Sequence, residues 1–326
     1  MYGTHQVRPL LQQPPALEQR LAHQSDLGMF QVAQAPVDDA RGPAGGTRGK
    51  VMLLNQQGTA AGARALPGDG DAVNSAANND HVEAFAFQRT PNWGSIVHAR
   101  NGTRLEQVGD ELQRQFGITV STLALDLAAP TAAQSLFEEL RRQEVDVDVL
   151  VNNAGYGKFG EFADVPPEES LGQIQLNIAA LTYLTRLFLG PMLQRGSGKI
   201  MNVASTAGFQ PGPLMAVYYA TKAYVISFSE ALANELAGKG ITVTCLCPGA
   251  TETAFAGRAG NDQSRLFKKL RPMEAKTVAR AGYQGLLKGK TMVIPGFRNW
   301  LVAESVRLSP RKMATAISRW VSEKTE

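Results

Sequence analysis

Apolar and polar positions along residues 95–295 follow two spacings, and together they predict alternating strands and helices. Short runs rich in β-branched residues occur at Ser95-Ile-Val-His-Ala99, residues 118–125, Val147-Asp-Val-Leu-Val151, Lys199-Ile-Met-Asn-Val203 and residues 241–247. Each has strand length and composition. Between them the period changes to that of a helix. Leu105, Val108, Leu112 and Phe116 make one apolar stripe, and Leu171, Ile174, Ile178, Leu181, Leu184 and Phe188 make another. The second begins at Pro166-Pro167-Glu168-Glu169, and proline and acids in a first turn suit helix initiation. Val225, Phe228, Leu232 and Leu236 form a third stripe that stops at Gly238 and Gly240. Residues 273–287 read as a further helix and Thr291-Met-Val-Ile-Pro295 as an edge strand. Strands alternating with helices of this length predict an α/β fold with a doubly wound, Rossmann-like parallel sheet in three α/β/α layers.

Ligands bind such sheets beyond the carboxyl ends of the strands. Three pieces of sequence fall there: Asn152-Asn-Ala-Gly155, Ser205 and Pro248-Gly249. Tyr218 and Lys222 stand four apart in a helical run, thirteen and seventeen residues after Ser205. Positions i and i+4 share a helix face. An ammonium there is expected to lower the phenol's pKa from about 10 towards working pH, which equips the tyrosine to give or take a proton.

In order and separation, Asn152-Asn-Ala-Gly155, Asn177, Ser205, Tyr218-x-x-x-Lys222 and Pro248-Gly-Ala-Thr-Glu-Thr253 resemble the short-chain dehydrogenase/reductase family. The likeness runs from about Gly94 to Pro295 and includes a bacterial branch of uncharacterised oxidoreductases. It implies hydride transfer between a nicotinamide cofactor and an alcohol or carbonyl substrate, in a homodimer or homotetramer. Tyr218 would be the general acid/base, Lys222 would tune it and bind the nicotinamide ribose, and Ser205 would bond the substrate oxygen. Asn177 would hold a water of a proton relay. The cofactor would be lined by Asp126, Asn152, Ala154, Gly155, Pro248, Gly249, Thr251 and Thr253 together with Tyr218 and Lys222. Arg100 follows the second expected strand, where an acid would instead accept the 2′-hydroxyl of NAD. A guanidinium there suits a 2′-phosphate, so NADP is expected in preference to NAD, with Arg104 assisting.

One part of the family pattern is absent. The first strand should end in Thr-Gly-x-x-x-Gly-x-Gly, whose glycines let the backbone approach the pyrophosphate. The nearest substitute is Lys50-Val-Met-Leu-Leu54 followed by Gly58-Thr-Ala-Ala-Gly62, with Arg64 where the third glycine belongs. The first βα unit is therefore expected to be atypical or missing. Residues 1–90, rich in Gln, Pro, Ala and Gly, are read as a disordered extension, a divergent first unit or a stretch in a shifted frame. Residues 91–297 would form the catalytic domain and 298–326 a basic amphipathic tail. A rival reading is a catalytically impaired relative that serves only as a structural or dimerising module, its phosphate loop lost.

Charge adds a smaller point. The formal net charge is +4, yet residues 258–326 hold fifteen Lys/Arg against five Asp/Glu. Val306, Met313, Ile317, Trp320 and Val321 place apolar stripes among those bases. Such a tail suits docking on a partner subunit, peripheral contact with anionic lipid, or a basic cover over its own domain. Aromatic interleaving is too sparse for nucleic acid. All four histidines (His5, His23, His81, His98) precede the candidate site, which disfavours a Ser-His-Asp hydrolase, and no clustered ligands suggest a metal. Cys245 and Cys247 should share a strand face. Two cysteines and no secretory signal fit a reduced cytoplasm, and no apolar run suggests a membrane span.

Overall fold

The computed structural model describes residues 50–54, 94–99, 102–269 and 271–324. Its centre is a seven-stranded, all-parallel sheet in the order β3-β2-β1-β4-β5-β6-β9. The strands are β1 (Lys50–Leu54), β2 (Gly94–Ala99), β3 (Thr119–Ala124), β4 (Val149–Asn152), β5 (Gly198–Val203), β6 (Ile241–Leu246) and β9 (Met292–Val293). A two-stranded sheet pairs β7 (Thr251–Glu252) with β8 (Met273–Glu274). The strand order reverses between β1 and β4, which creates the crevice of a doubly wound sheet.

Lys50–Leu54 is an inner strand, parallel to β2 on one side and β4 on the other. The first strand is thus present at the substitute position, and the sheet draws on chain ahead of residue 91. The glycine turn after it, and Arg100, lie outside the described residues.

Strand side chains alternate between the two faces of a sheet. Val97, Val151, Met201 and Leu246 pack on one face against α1 (Gly102–Phe116) and α8 (Ala275–Leu287). Leu150, Ile200 and Val243 pack on the other against α2 (Ala132–Arg142), α4 (Leu181–Arg195) and α5 (Ala216–Glu235). Each fully buried leucine or isoleucine contributes about 1.5–3 kcal/mol. Cys245 and Cys247 share a face as expected, with their Sγ atoms 3.6 Å apart.

The helix expected from residue 166 forms, but not as one regular cylinder. α3 (Pro167–Ile174) passes through a π-helical turn at Gln175–Ala180 into α4. The wider turn rotates the buried face. Leu171 and Ile174, expected to be inward, are 65% and 43% exposed, while Leu176, Asn177 and Ala180 are buried. The run Pro167–Arg195 is long and apolar enough to cross a membrane by length and composition. Its packing against the sheet accounts for that apolarity.

Gly196 and Gly240, both at positive φ, end α4 and the turn after α5. A Cβ on Gly240 would overlap the carbonyl oxygen of Gly196, so these turns stack only because Gly240 has no side chain. The remaining elements, α6 (Phe255–Ala259), α7 (Arg265–Lys269), α9 (Phe297–Leu308) and α10 (Arg311–Ser322), gather around the carboxyl ends of β5 and β6.

Candidate active site

Three strand ends supply the floor. At the end of β4, Asn152 turns inward and is only 2% exposed. Its Nδ2 donates to Thr185 Oγ1 on α4 and to Asn202 Oδ1 on β5, both at 2.9 Å. Asn202 donates to Ser229 Oγ at 3.0 Å, and Ser229 donates to the Val225 carbonyl on α5 at 2.7 Å. The side chain of Asn152 is therefore a cross-tie beneath the site. With Ala154 it borders a small apolar cleft near Leu127 and Leu176, separate from the large cavity that holds the other candidates.

Ser205 follows β5 in extended conformation. Its Oγ accepts the Ala207 N–H at 3.1 Å and donates to the Pro248 carbonyl at 3.3 Å. The Thr206 N–H reaches the same carbonyl at 2.8 Å, which locks the Ser205 turn to the end of β6. Tyr218 and Lys222 lie one turn apart on α5, both buried. Lys222 Nζ donates to the Val203 carbonyl at 2.8 Å and sits 5.7 Å from the Tyr218 ring centroid.

Burial controls the ionisation of both. It pulls Lys222 down to about 8. The hydrogen bond between Cys245 and Cys247, aided by burial, pushes the Cys247 thiol up. Burial also raises Tyr218 well above the usual phenol value, while a hydrogen bond with Ser205 works the other way. The expected lowering of the tyrosine by the lysine is thus outweighed in this geometry. Desolvation opposes the phenolate, and the ammonium is engaged with a main-chain carbonyl. At neutral pH the phenol is a proton donor.

Asn177 occupies the π turn and is buried. Its Oδ1 accepts the Tyr156 N–H at 3.1 Å, and its Nδ2 donates to the Tyr156 carbonyl at 2.9 Å and to Thr221 Oγ1 at 3.0 Å. Thr221 in turn donates to the Tyr218 carbonyl at 2.7 Å. Both amide hydrogens are committed, so a relay through Asn177 has to use the remaining lone pair of Oδ1.

Gly155, Ser205, Tyr218, Lys222, Pro248, Gly249, Thr251 and Thr253 all border one cavity of about 460 Å³. A Cβ on Gly155 would come within 3.5 Å of Lys222 Nζ, so this glycine keeps space open beside the ammonium. Thr251 Oγ1 donates to the Gly249 carbonyl at 3.0 Å, and Thr253 Oγ1 accepts the Phe255 N–H at 3.3 Å, shaping the facing loop. Asp126 lies exposed on the turn after β3, where its Oδ1 accepts the Ala128 N–H at 2.9 Å.

Several site residues escape sequence reasoning. Thr221 joins Asn177 to α5, and Phe255 and Asn261 line the cavity. Its roof is the helix pair α9 and α10. Asn299, Val302 and Val306 point in from the first, and Ala314, Ile317 and Val321 from the second. Val306, Ile317 and Val321 were visible in the sequence as parts of apolar stripes, but nothing in them says that the stripes face a cavity. Asn299 packs directly over Gly249, where a Cβ would lie 2.5 Å from its Oδ1.

Residues 90–264 match the model of the short chain dehydrogenase family. Sulfoacetaldehyde reductase 2 of Chromohalobacter salexigens is 35% identical over 193 residues, which span 57% of this chain and 76% of that one. A very-long-chain 3-oxoacyl-CoA reductase of Anas platyrhynchos is 32% identical over 212 residues, 62% of this chain and 67% of the other. Among solved structures, a short-chain dehydrogenase from Sphingobium yanoikuyae in complex with NADPH aligns with a TM-score of 0.59 and 30% identity, covering 66% of this chain and 84% of that one. With its doubly wound sheet and the residues gathered at its carboxyl edge, the chain belongs to the short-chain dehydrogenase family of oxidoreductases.

Proposed function

We propose that this chain is an NADP-dependent oxidoreductase acting on a carbonyl or alcohol group, with Tyr218 as the proton-transferring residue. The convergence of Tyr218, Ser205 and Lys222 on one cavity carries this reading. The open space beside Lys222 that Gly155 preserves, facing the loop from Pro248 to Thr253, fits the nicotinamide half of the cofactor. When bound, that ring supplies or accepts the hydride. Arg100 directly after β2, and the NADPH carried by the Sphingobium relative, support NADP.

In the reducing direction, Tyr218 gives its phenolic proton to the substrate oxygen. Burial holds that phenol protonated, so the resting site is poised for reduction. The long 3.3 Å donation from Ser205 to Pro248 is easily exchanged for a bond to the same substrate oxygen, which fixes the carbonyl. Lys222, charged at neutral pH with a pKa of about 8, offsets the negative charge left on Tyr218. Asn177 acts as a positioning residue through Thr221. Met215, Phe255 and the roof helices make the pocket mainly apolar, which suits a bulky carbonyl compound.

The rival reading, a relative that keeps the fold without turnover, is favoured by Arg64 standing where the third fingerprint glycine belongs. NADPH fluorescence titration of the folded protein separates the two. Saturable binding at micromolar to millimolar cofactor is expected, and its absence refutes the enzyme reading. Given binding, Tyr218→Phe should cut turnover by about a hundredfold or more, the usual weight of a general acid, while leaving cofactor affinity within about twofold.

A further inference from the structure

The roof of the cavity has an outer surface unlike the rest of the molecule. Fourteen large apolar side chains are exposed among the described residues, and eight of them lie on α9 and α10. Phe297, Leu301 and Leu308 recur at helical spacing on α9, and Met313, Ile317 and Trp320 do so on α10. Leu308, at the turn between the helices, is 91% exposed, and Phe297 is 73% exposed and stacked on Trp300. A soluble surface rarely concentrates apolar groups in this way without a partner.

The same two helices carry Arg298, Arg307, Arg311, Lys312 and Arg319 against a single acid, Glu304. Arg307 pairs with Glu304, and Arg319 with Glu161 and Glu323. Arg298, Arg311 and Lys312 form no ion pair among the described residues. The surface is thus apolar stripes edged with uncompensated cations. Val302 and Ile317 line the cavity and are also more than half exposed, so the rim of the cavity belongs to this face.

We propose that the α9–α10 helix pair is a docking surface for an anionic lipid bilayer. Its apolar side chains enter the interfacial layer, the tryptophans sit at headgroup level, and the arginines and lysine meet lipid phosphates. A second copy of the chain fits the same face less well. A two-fold interface sets a patch against itself, and here that would place Arg298, Arg311 and Lys312 opposite an equally cationic surface. α10 is anchored to the body by Arg265, which donates to Glu323 at 2.7 Å and to the Trp320 carbonyl at 2.8 Å, with its guanidinium over the Trp320 ring at 5.2 Å. α10 therefore docks as a formed helix held on the body.

The test is sedimentation of the full chain with vesicles of phosphatidylcholine alone or mixed with phosphatidylglycerol. Two of the three tryptophans are Trp300 and Trp320, so intrinsic emission reports directly on the surface. Binding to the mixed vesicles with a blue shift is expected, together with much weaker binding to phosphatidylcholine. The double variants Leu301→Ser/Leu308→Ser and Arg311→Glu/Lys312→Glu should each lower partitioning by about tenfold or more, with unchanged circular dichroism. These side chains are exposed, so folding is spared. Absence of binding, equal binding to both vesicle types, or binding that survives both variants overturns the proposal. So does a dimer, seen by sedimentation velocity without lipid, that Leu308→Ser dissociates, since this assigns the face to a second copy.

Discussion

Replacing Lys222 with methionine should change how stability depends on pH, and the size of the change follows from burial. The folded chain holds the lysine at about 8 against 10.5 when solvated. At pH 7 the unfolded chain therefore binds this proton more tightly, and keeping the charge in the fold costs ~3 kcal/mol. Between pH 8 and 10.5 the unfolded state still holds protons that the folded state has released, so wild-type stability rises with pH across this window. By pH 10 about 1 kcal/mol of the cost remains. Tyr218 does not reverse this trend, since its pKa is raised and its contribution is lost only above the solvated phenol value near 10. Lys222→Met has no such group. It also leaves the Val203 carbonyl without its donor, a penalty of about 1–3 kcal/mol that is nearly constant with pH. Urea unfolding of both proteins at pH 7 and pH 10, followed by far-ultraviolet circular dichroism, isolates the slope from this offset. Wild-type stability should gain about 2–3 kcal/mol on the variant between the two pH values. A pH-independent difference would falsify the claim that Lys222 is charged and desolvated in the folded protein.

Other consequences of the structure are simpler to state. Asn177→Ala strips partners from both main-chain groups of Tyr156 and from Thr221, and should cost about 2–4 kcal/mol. Thermal unfolding reads this as a fall of several degrees, and an unchanged midpoint contradicts the hydrogen-bond assignment. Gly240→Ala forces a Cβ onto the Gly196 carbonyl at positive φ and should cost about 2 kcal/mol or more. Gly190→Ala, inside α4 with no atom within 4 Å of the new methyl, should instead gain about 0.5–1 kcal/mol. If denaturant midpoints rank these two variants the other way, the packing described around the stacked turns is wrong.

Legibility in the sequence depended on which physical signal each residue carried. β4, β5 and β6 were readable because buried parallel strands are continuous apolar or β-branched runs. Ser205, Tyr218 and Lys222 were readable because the proton transfer proposed for them demands particular side chains at fixed places on a strand end and a helix. The π turn was not readable. Leu171 and Ile174 continue the period of Leu181, Leu184 and Phe188 without a break, yet one widened turn carries them to the surface. The decision is made by Asn177, whose side chain satisfies the main chain of Tyr156, a contact between residues 21 apart. The tie through Asn152, Asn202, Thr185 and Ser229 was hidden for a similar reason. Polar residues read singly suggest surface, and only tertiary contact shows that they bond one another in the interior. Lys50–Leu54 had the right composition for a strand but not the expected glycines after it, so its place inside the sheet rests on its pairing with β2 and β4.

These buried polar contacts explain how Tyr218 is held opposite Ser205. The apolar face of α5 packs against the sheet through Val225, Ile226 and Leu232, but hydrophobic contact is non-directional and specifies axial position poorly. A slip of one turn moves a helix by about 5.4 Å, enough to carry the phenol away from the serine. Three directional contacts oppose such a slip at successive heights. Thr221 is bonded to Asn177 in the π turn, Lys222 to the Val203 carbonyl at the end of β5, and Ser229 to Asn202 in the middle of the sheet. Each needs its partner within a few tenths of an ångström, so they are satisfied together at only one register. Lys222 is thus a structural peg as well as an electrostatic group, and its burial, unfavourable for the charge, is what lets it reach the carbonyl that fixes the tyrosine one turn away.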